Sequence, residues 1–130
     1  MQVPPNCDLT LGMTCLDKSE PGRTVWRMPA DERFTNPAGI LQGGFLAAMA
    51  DSAMGASSVT WARERKVHSA NAELKISFLR PVSPGGDLTC TAWVVSGGNR
   101  AAFLEAEIVD GEGRLVAKAS STYLLSPREG

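Results

Sequence analysis

Residues 41–51 read LQGGFLAAMAD, and this stretch decides how the chain folds. A glycine pair opens an apolar run rich in Ala, Met and Leu, which predicts one long helix over residues 43–62. Nine residues after Gln42 the run contains an acid, Asp51. Because burying an unpaired carboxylate is costly, we expect Asp51 to be paired, to be solvated through a cleft, or to take part in chemistry.

Strand patterns lie on both sides of this helix. Short β-like runs at 9–17 and 22–30 precede it, and a loop over 33–44 leads into it. In 71–79, Leu74, Ile76 and Phe78 alternate with polar residues, which is typical of a half-buried strand. Three further strands, at 87–95, 101–110 and 113–125, are joined by short Gly-rich turns and predict an antiparallel meander. One apolar helix and a long antiparallel sheet predict an α+β fold in which the sheet wraps the helix.

The composition is that of an ordinary globular domain. The 130 residues are 43% hydrophobic and 21% charged, with a formal net charge of −1, so we expect a single domain over 1–130. No basic stripe is present to attract nucleic acid, and no apolar run approaches the ~20 residues of a membrane span. The start of the sequence lacks a signal-peptide pattern, and the three cysteines show no metal-binding spacing. We therefore expect a cytoplasmic protein without a metal.

The helix face around Asp51 is built from small side chains. At about 100° per residue, the neighbours of Asp51 are almost all small, whereas the opposite face is bulkier and suited to covering by a sheet. This arrangement predicts a shallow channel along which a second helix or an extended ligand can approach. The neighbours are Gly44, Ala47, Ala48, Met54, Gly55 and Ser58, and the opposite face carries Phe45, Leu46, Met49, Ala53 and Ala56.

The predicted start of the helix at Gln42–Gly44 presents free backbone N–H groups and the positive end of the helix dipole. Glycine lets a ligand oxygen reach these amides, so the amides and Asp51 together suggest an oxyanion hole and a base. Gly43 and Asp51 are eight residues apart, however, which is about 12 Å along a helix. One reacting carbon cannot contact both, so the hypothesis predicts a two-fold dimer with composite sites.

The spacing of Asn36, Gln42, Gly43, Gly44 and Asp51 resembles the Asn-x5-His-Gly-Gly-x6-Asp signature of the PaaI-like hotdog-fold acyl-CoA thioesterases. The segments LGMTCL, ISFLRP and DGEGRLVAKASSTYLL are also similar to the first strand, the strand after the helix and the final hairpin of that family. The resemblance implies a hotdog fold, a dimer that often pairs into a tetramer, and hydrolysis of an acyl-CoA thioester. CoA is then part of the substrate, and no cofactor is needed.

The resemblance also implies roles for single residues. Asp51 would be the catalytic carboxylate, either general base or nucleophile, and the Gly43 amide would polarise the thioester carbonyl. Asn36 would orient water or substrate, and Asn71 lies near a position where the family places a small polar residue. We expect the substrate to run along the channel, with basic residues at its rim meeting the CoA phosphates. The predicted substrate contacts are Gly44, Met54, Gly55, Asn71 and Arg100.

Gln42 departs from the family, which has histidine there. Glutamine carries no proton at neutral pH, but a thiol with a pKa near 8.5 leaves as thiolate without a strong acid. We therefore expect Gln42 to act as a positioning group.

Three other interpretations stay open at this point. Asp51 could form a structural ion pair with Arg63 or Arg100. The domain could bind acyl-CoA without turnover, as a sensor or carrier. It could also hydrate enoyl-CoA, although the only histidine, His68, does not match the family site.

Overall fold

The computed structural model of the protein describes residues 6–128. Its long helix, α2, spans Gly43–Trp61, as the sequence predicted. The other elements are the short helix α1 (Asn6–Leu11), a 3-10 turn (Glu32–Phe34), and the strands β1 (Thr14–Asp17), β2 (Arg23–Pro29), β3 (Val67–Phe78), β4 (Asp87–Gly97), β5 (Ala101–Val109) and β6 (Leu115–Pro127).

The start of the chain differs from the prediction. Residues 9–11 were expected to begin a strand, but they form the last turn of α1. Gly12 follows at a φ of +73° and ends the helix, a backbone conformation that glycine adopts without strain. The amide of Met13 then donates to the carbonyl of Asp8. The strand therefore begins only at Thr14.

The six strands form one antiparallel sheet in the order β1-β2-β4-β5-β6-β3. The predicted meander of β4, β5 and β6 is confirmed. The strand that follows the helix, β3, crosses over to pair with β6 and so lies at an edge. Its position at an edge decides how much of its apolar side is covered.

Helix α2 lies on one face of the sheet, and its bulky side chains form the core with β2, β4, β5 and β6. Leu46, Met49 and Ala53 are buried as predicted, whereas Phe45 and Ala56 are only half-buried. Buried hydroxyls also hold the helix in register: Ser57 Oγ donates to the carbonyl of Ala92 at 3.0 Å and lies 2.8 Å from Thr24 Oγ1. These contacts determine which residues of α2 face away from the sheet.

The apolar residues of β3 point to the helix side of the sheet but are poorly covered. Leu74 is 36% exposed and Phe78 is 53% exposed, although their alternation predicted a half-buried strand. The reason is that β3 has a neighbour on one side only, and a single helix is too narrow to cover a six-stranded sheet. Along the described range 6–128, no helix has the length and apolar character to cross a membrane.

Candidate active site

A cleft of about 570 Å³ opens at the N-terminal end of α2. Its walls come from the loop before α2, the first turn of α2, and the segment after β3. The structure thus brings together four of the residues that the sequence singled out, namely Asn36, Gln42, Gly43 and Gly44. It adds Phe78 and Arg80, which the sequence analysis did not assign to the site.

Gly43 and Gly44, the first two residues of α2, line this cleft. Within residues 6–128, neither the N–H of Gly43 nor that of Gly44 has a hydrogen-bond acceptor. Gln42 is the N-cap residue, and its side chain does not cap the helix. The first turn therefore keeps two free donors and the positive end of the helix dipole, which suit a developing oxyanion.

Glycine at position 43 has a steric reason. A Cβ atom there would stand 2.7 Å from Cζ of Phe78, so only glycine lets the exposed ring lie directly against the helix start. Gly44 differs, because an added Cβ atom would meet no neighbour within 4 Å. Phe78 therefore forms an apolar wall of the cleft beside the Gly43 amide.

Asn36 organises the loop that leads into the helix. Its Oδ1 accepts hydrogen bonds from the amides of Ala38 (2.9 Å) and Ile40 (3.3 Å). Because backbone N–H groups point at this atom, it is the oxygen of the amide. Only the NH2 group of Asn36 is left to face the cleft, so Asn36 can donate to a water or a substrate oxygen but has little capacity to accept.

Asp51 lies two turns further along α2, on the exposed side of the helix. Asn71 Nδ2 on β3 donates to Asp51 Oδ1 at 2.9 Å. The Tyr123 hydroxyl on β6 lies 3.2 Å from the main-chain oxygen of Asp51 and 3.3 Å from Oδ1. Burial first, and then the negative charge and hydrogen bond of Asp51, raise the pKa of Tyr123 well above its usual value. The phenol therefore stays protonated and acts as a donor.

A bulge in β3 aims Asn71 at Asp51. The pairing with β6 shifts between Asn71 and Glu73, so that Ala72 is an extra residue. Bulges re-aim side chains in this way, and here Asn71 turns to the helix side, where its amide also reaches Ser121 Oγ at 3.3 Å. Gly55, a predicted substrate contact, lies next to this group, since a Cβ there would be 3.6 Å from the Tyr123 hydroxyl.

The predicted site residues thus fall into two separate groups within one protomer. One lies at the start of α2 and the other around Asp51, in agreement with the distance of about 12 Å along the helix. Two predicted substrate contacts lie elsewhere. Met54 is a correction, because its side chain is fully buried in the core and offers a ligand no surface. Arg100 lies exposed in the turn before β5, near the C-terminal end of α2 and away from the cleft.

The ion-pair interpretation of Asp51 is not supported. In the described part of the chain, neither Arg63, Arg100 nor any other basic residue lies within 4.0 Å of its carboxylate. His68 is exposed on β3, opposite Ser126. Cys90 is fully buried, which raises the pKa of its thiol to about 12 and makes it a core residue.

Sequence reasoning missed Tyr123. Its signal was present, because Ser121, Tyr123 and Leu125 alternate with more exposed residues along β6 and therefore face the helix. What the pattern could not show was that Tyr123 lies level with Asp51, since that depends on the register between β6, β3 and the helix.

Comparison with known proteins gives a consistent result. Residues 38–117 match the thioesterase superfamily, a range that contains Gly43, Asp51 and Asn71 and ends before Tyr123. Acyl-coenzyme A thioesterase 13 of Homo sapiens is 27% identical over 118 residues, which are 90% of this chain and 83% of that protein. The PaaI protein from the phenylacetic acid degradation operon of E. coli is 25% identical, with a TM-score of 0.86 over 98% of this chain and 86% of that one. A phenylacetic acid degradation-related protein of Ralstonia eutropha is 31% identical, with a TM-score of 0.85 over 95% and 92% of the two chains.

Proposed function

The chain belongs to the thioesterase superfamily and is a thioester hydrolase of hotdog fold, and from this premise we propose that its substrates are acyl-CoA thioesters. The observation that carries the proposal is the pair of free amides at Gly43 and Gly44, which open into a cleft of about 570 Å³ on a helix that also carries an exposed carboxylate. The acyl-coenzyme A substrate named for the human relative supports the choice of CoA as carrier.

The proposed site is shared between two subunits. One edge of β3 has no strand partner within residues 6–128, and an unpaired edge is a template for a second chain. An antiparallel β3–β3 pair about a two-fold axis sets the Phe78 end of one strand beside the Val67 end of the other. Since Gly43 contacts Phe78, this pairing brings the Gly43 amide of one subunit towards Asp51 and Asn71 of its partner. It also covers Leu74 and Phe78.

The chemistry follows from the groups at hand. The thioester carbonyl oxygen accepts from the Gly43 amide, which stabilises the negative charge that forms on it. In the base pathway, Asp51 takes a proton from water while the water oxygen bonds to the carbonyl carbon. The intermediate then expels CoA thiolate, which receives that proton, leaving acid and thiol. In the nucleophile pathway, an Asp51 oxygen bonds to the carbonyl carbon while the C–S bond breaks and CoA leaves as thiolate. Water then hydrolyses the mixed anhydride, which gives the acid, the free Asp51 carboxylate and a proton that the thiolate takes up.

Two side chains at the cleft support binding in this proposal. The side chain of Gln42 does not cap the helix, so its amide is free to position the substrate, and a thiolate leaving group makes no demand for an acid there. Arg80 lies at the cleft without a carboxylate partner within the described residues, and it suits a CoA phosphate.

The test is thiol release from a panel of CoA thioesters by wild type and by Asp51→Asn. We expect wild type to release CoA and the variant to lose at least about 10²-fold in kcat, with an unchanged circular dichroism spectrum and Tm. An equally active Asp51→Asn would remove this carboxylate from the mechanism. Absence of thiol release from every CoA thioester, with release from an acyl-carrier-protein thioester, would overturn CoA as the carrier.

A further inference from the structure

We propose that Tyr123 is a positioning residue for Asp51: its hydroxyl, together with the Asn71 amide, holds Oδ1 so that Oδ2 is the oxygen that meets water or thioester. The inference rests on the proposed function and adds a residue that the family match, which ends at residue 117, does not reach.

The two oxygens of the Asp51 carboxylate differ in their hydrogen-bond partners. Oδ1 lies 2.9 Å from Asn71 Nδ2 and 3.3 Å from the Tyr123 hydroxyl, so both donors reach the same oxygen. Within residues 6–128, Oδ2 has no hydrogen-bond or ion-pair partner. A carboxylate held at one oxygen keeps its rotamer and presents the other oxygen in a defined direction, which is what a base or a nucleophile needs.

The Tyr123 side chain is packed in the core. It is only 3% exposed, and its hydroxyl also lies 3.2 Å from the main-chain oxygen of Asp51. The single O–H proton is thus shared between the carbonyl and the carboxylate of the same residue, which ties Oδ1 to its own helix turn. Because the pKa of Tyr123 is raised by burial and by the Asp51 charge, the phenol cannot compete as a base at neutral pH.

Few ionisable groups lie near Asp51 on α2, β3 and β6, so a pH–rate profile can test the proposal. Asp51 is the only ionisable residue of α2, and Tyr123 is the titratable group that faces it from β6. On β3, Glu73 and Lys75 lie on the opposite face of the sheet, where Glu73 accepts from Thr122 and Lys75 is near Glu105 and Lys118. On the helix side of the sheet, Tyr123 is therefore the ionisable neighbour of Asp51. It is this neighbour that the removal of a hydroxyl group alters.

The decisive variant is Tyr123→Phe, which removes one oxygen and keeps the buried ring. We expect kcat for a CoA thioester to fall about 10-fold or more, KM to change less than threefold, and the acidic limb of kcat/KM to move to higher pH. The limb moves because a carboxylate that loses a donor holds its proton more tightly. Thr122→Val is the matched control: it deletes a hydroxyl from the adjacent residue of β6, on the face away from Asp51, and should leave kcat unchanged.

A second measurement does not depend on activity. Tyr123 is the only tyrosine of the chain, so tyrosinate absorbance reports on it alone. In folded wild type we expect no ionisation near the ordinary pKa of about 10, and in Asp51→Asn we expect ionisation at lower pH than in wild type, because the carboxylate charge is gone.

The outcomes separate the inference from the proposed function. Wild-type kcat and an unmoved acidic limb in Tyr123→Phe would overturn the positioning role while leaving Asp51 catalytic. An equal loss in Thr122→Val would show a general disturbance of β6 and would also overturn it, as would tyrosinate formation near the ordinary pKa in wild type. An active Asp51→Asn would instead defeat the catalytic assignment, whatever the result for Tyr123→Phe.

Discussion

Asn71 Nδ2 donates a 2.9 Å hydrogen bond to Asp51 Oδ1, although the two residues are 20 positions apart and lie on different elements. The contact exists because β3 bulges after Asn71 and because buried hydroxyls hold the helix in register on the sheet. It joins a residue that the sequence marked as catalytic to one that it marked as a substrate contact. In the proposed function, this geometry makes Asn71 a support for the carboxylate.

Replacing Asn71 by aspartate tests this contact. Two carboxylates at hydrogen-bond distance cannot both ionise freely, so one of them keeps its proton to higher pH. We expect Asn71→Asp to move the acidic limb of kcat/KM upward by at least about one pH unit, as measured by thiol release across the pH range. Asn71→Ala removes the donor without adding a charge and should show a smaller movement. A wild-type profile in Asn71→Asp would mean that the two side chains do not touch in the working enzyme.

The Gly43 amide can be removed selectively. Proline is favoured at the first position of a helix, and Gln42 already has a φ of −65° and a ψ of 133°, which suit a residue before proline. We expect Gly43→Pro to fold with a wild-type Tm within a few degrees and to lose about 10²–10³ in kcat, the usual cost of an oxyanion donor.

Gly43→Ala is the matched control for this prediction. Both variants add a Cβ atom that displaces the Phe78 ring, but only proline removes the N–H group. An equal loss in the two variants would assign the effect to Phe78 and not to the amide.

Mixing subunits tests whether the site is shared. If Gly43 of one subunit works with Asp51 of the other, an Asp51→Asn subunit and a Gly43→Pro subunit together form one intact site. Random exchange makes half of the dimers mixed, each with one intact site of two, so we expect recovery of about a quarter of wild-type activity. The measurement is thiol release after co-refolding at equal concentrations. Activity no higher than the sum of the separate variants would place both groups of each site in one chain.

Stability should fall at alkaline pH. Burial raises the pKa of the Cys90 thiol to about 12, whereas an unfolded cysteine titrates near about 8.5. Above about pH 8.5 the unfolded chain loses this proton first, so it binds fewer protons than the folded chain, and stability falls with rising pH by up to about 1.4 kcal/mol per unit. The contribution is fully present below about pH 8.5. Urea titrations from about pH 7 to about pH 11 should show this slope in wild type and a gentler one in Cys90→Ala. Equal slopes would contradict the assignment.

Much of the architecture follows from local sequence patterns. The apolar run from Gly43 predicted α2, because helix propensity and burial act on consecutive residues. Alternation and glycine turns predicted β4, β5 and β6 for the same reason. The spacing of Gly43 and Asp51 also predicted that the two residues of one chain cannot both contact the same reacting carbon, since the rise of a helix is constant.

Other features depend on contacts between distant segments. Met54 was placed on the channel from its helical angle, but in the folded chain it is fully buried in the core. Leu74 and Phe78 were expected on the covered face of a half-buried strand, yet β3 is an edge strand and leaves them exposed. No sequence pattern states the strand order, because alternation reports which side a residue faces and not which strand lies beside it.

The candidate site also combines features that the sequence determined with features that only the tertiary structure determined. The residue types at positions 36, 42, 43 and 51 were readable in sequence, since a free amide and a carboxylate at fixed helical spacing depend on α2 alone. The contact of Asp51 with Tyr123, 72 residues away, and the contact of Phe78 with Gly43 were decided by tertiary structure. The first contact requires β6 to pack against α2 at the level of Asp51, and the second requires the crossover that sets β3 beside β6. Only the packed sheet and helix determine the register at which these side chains meet.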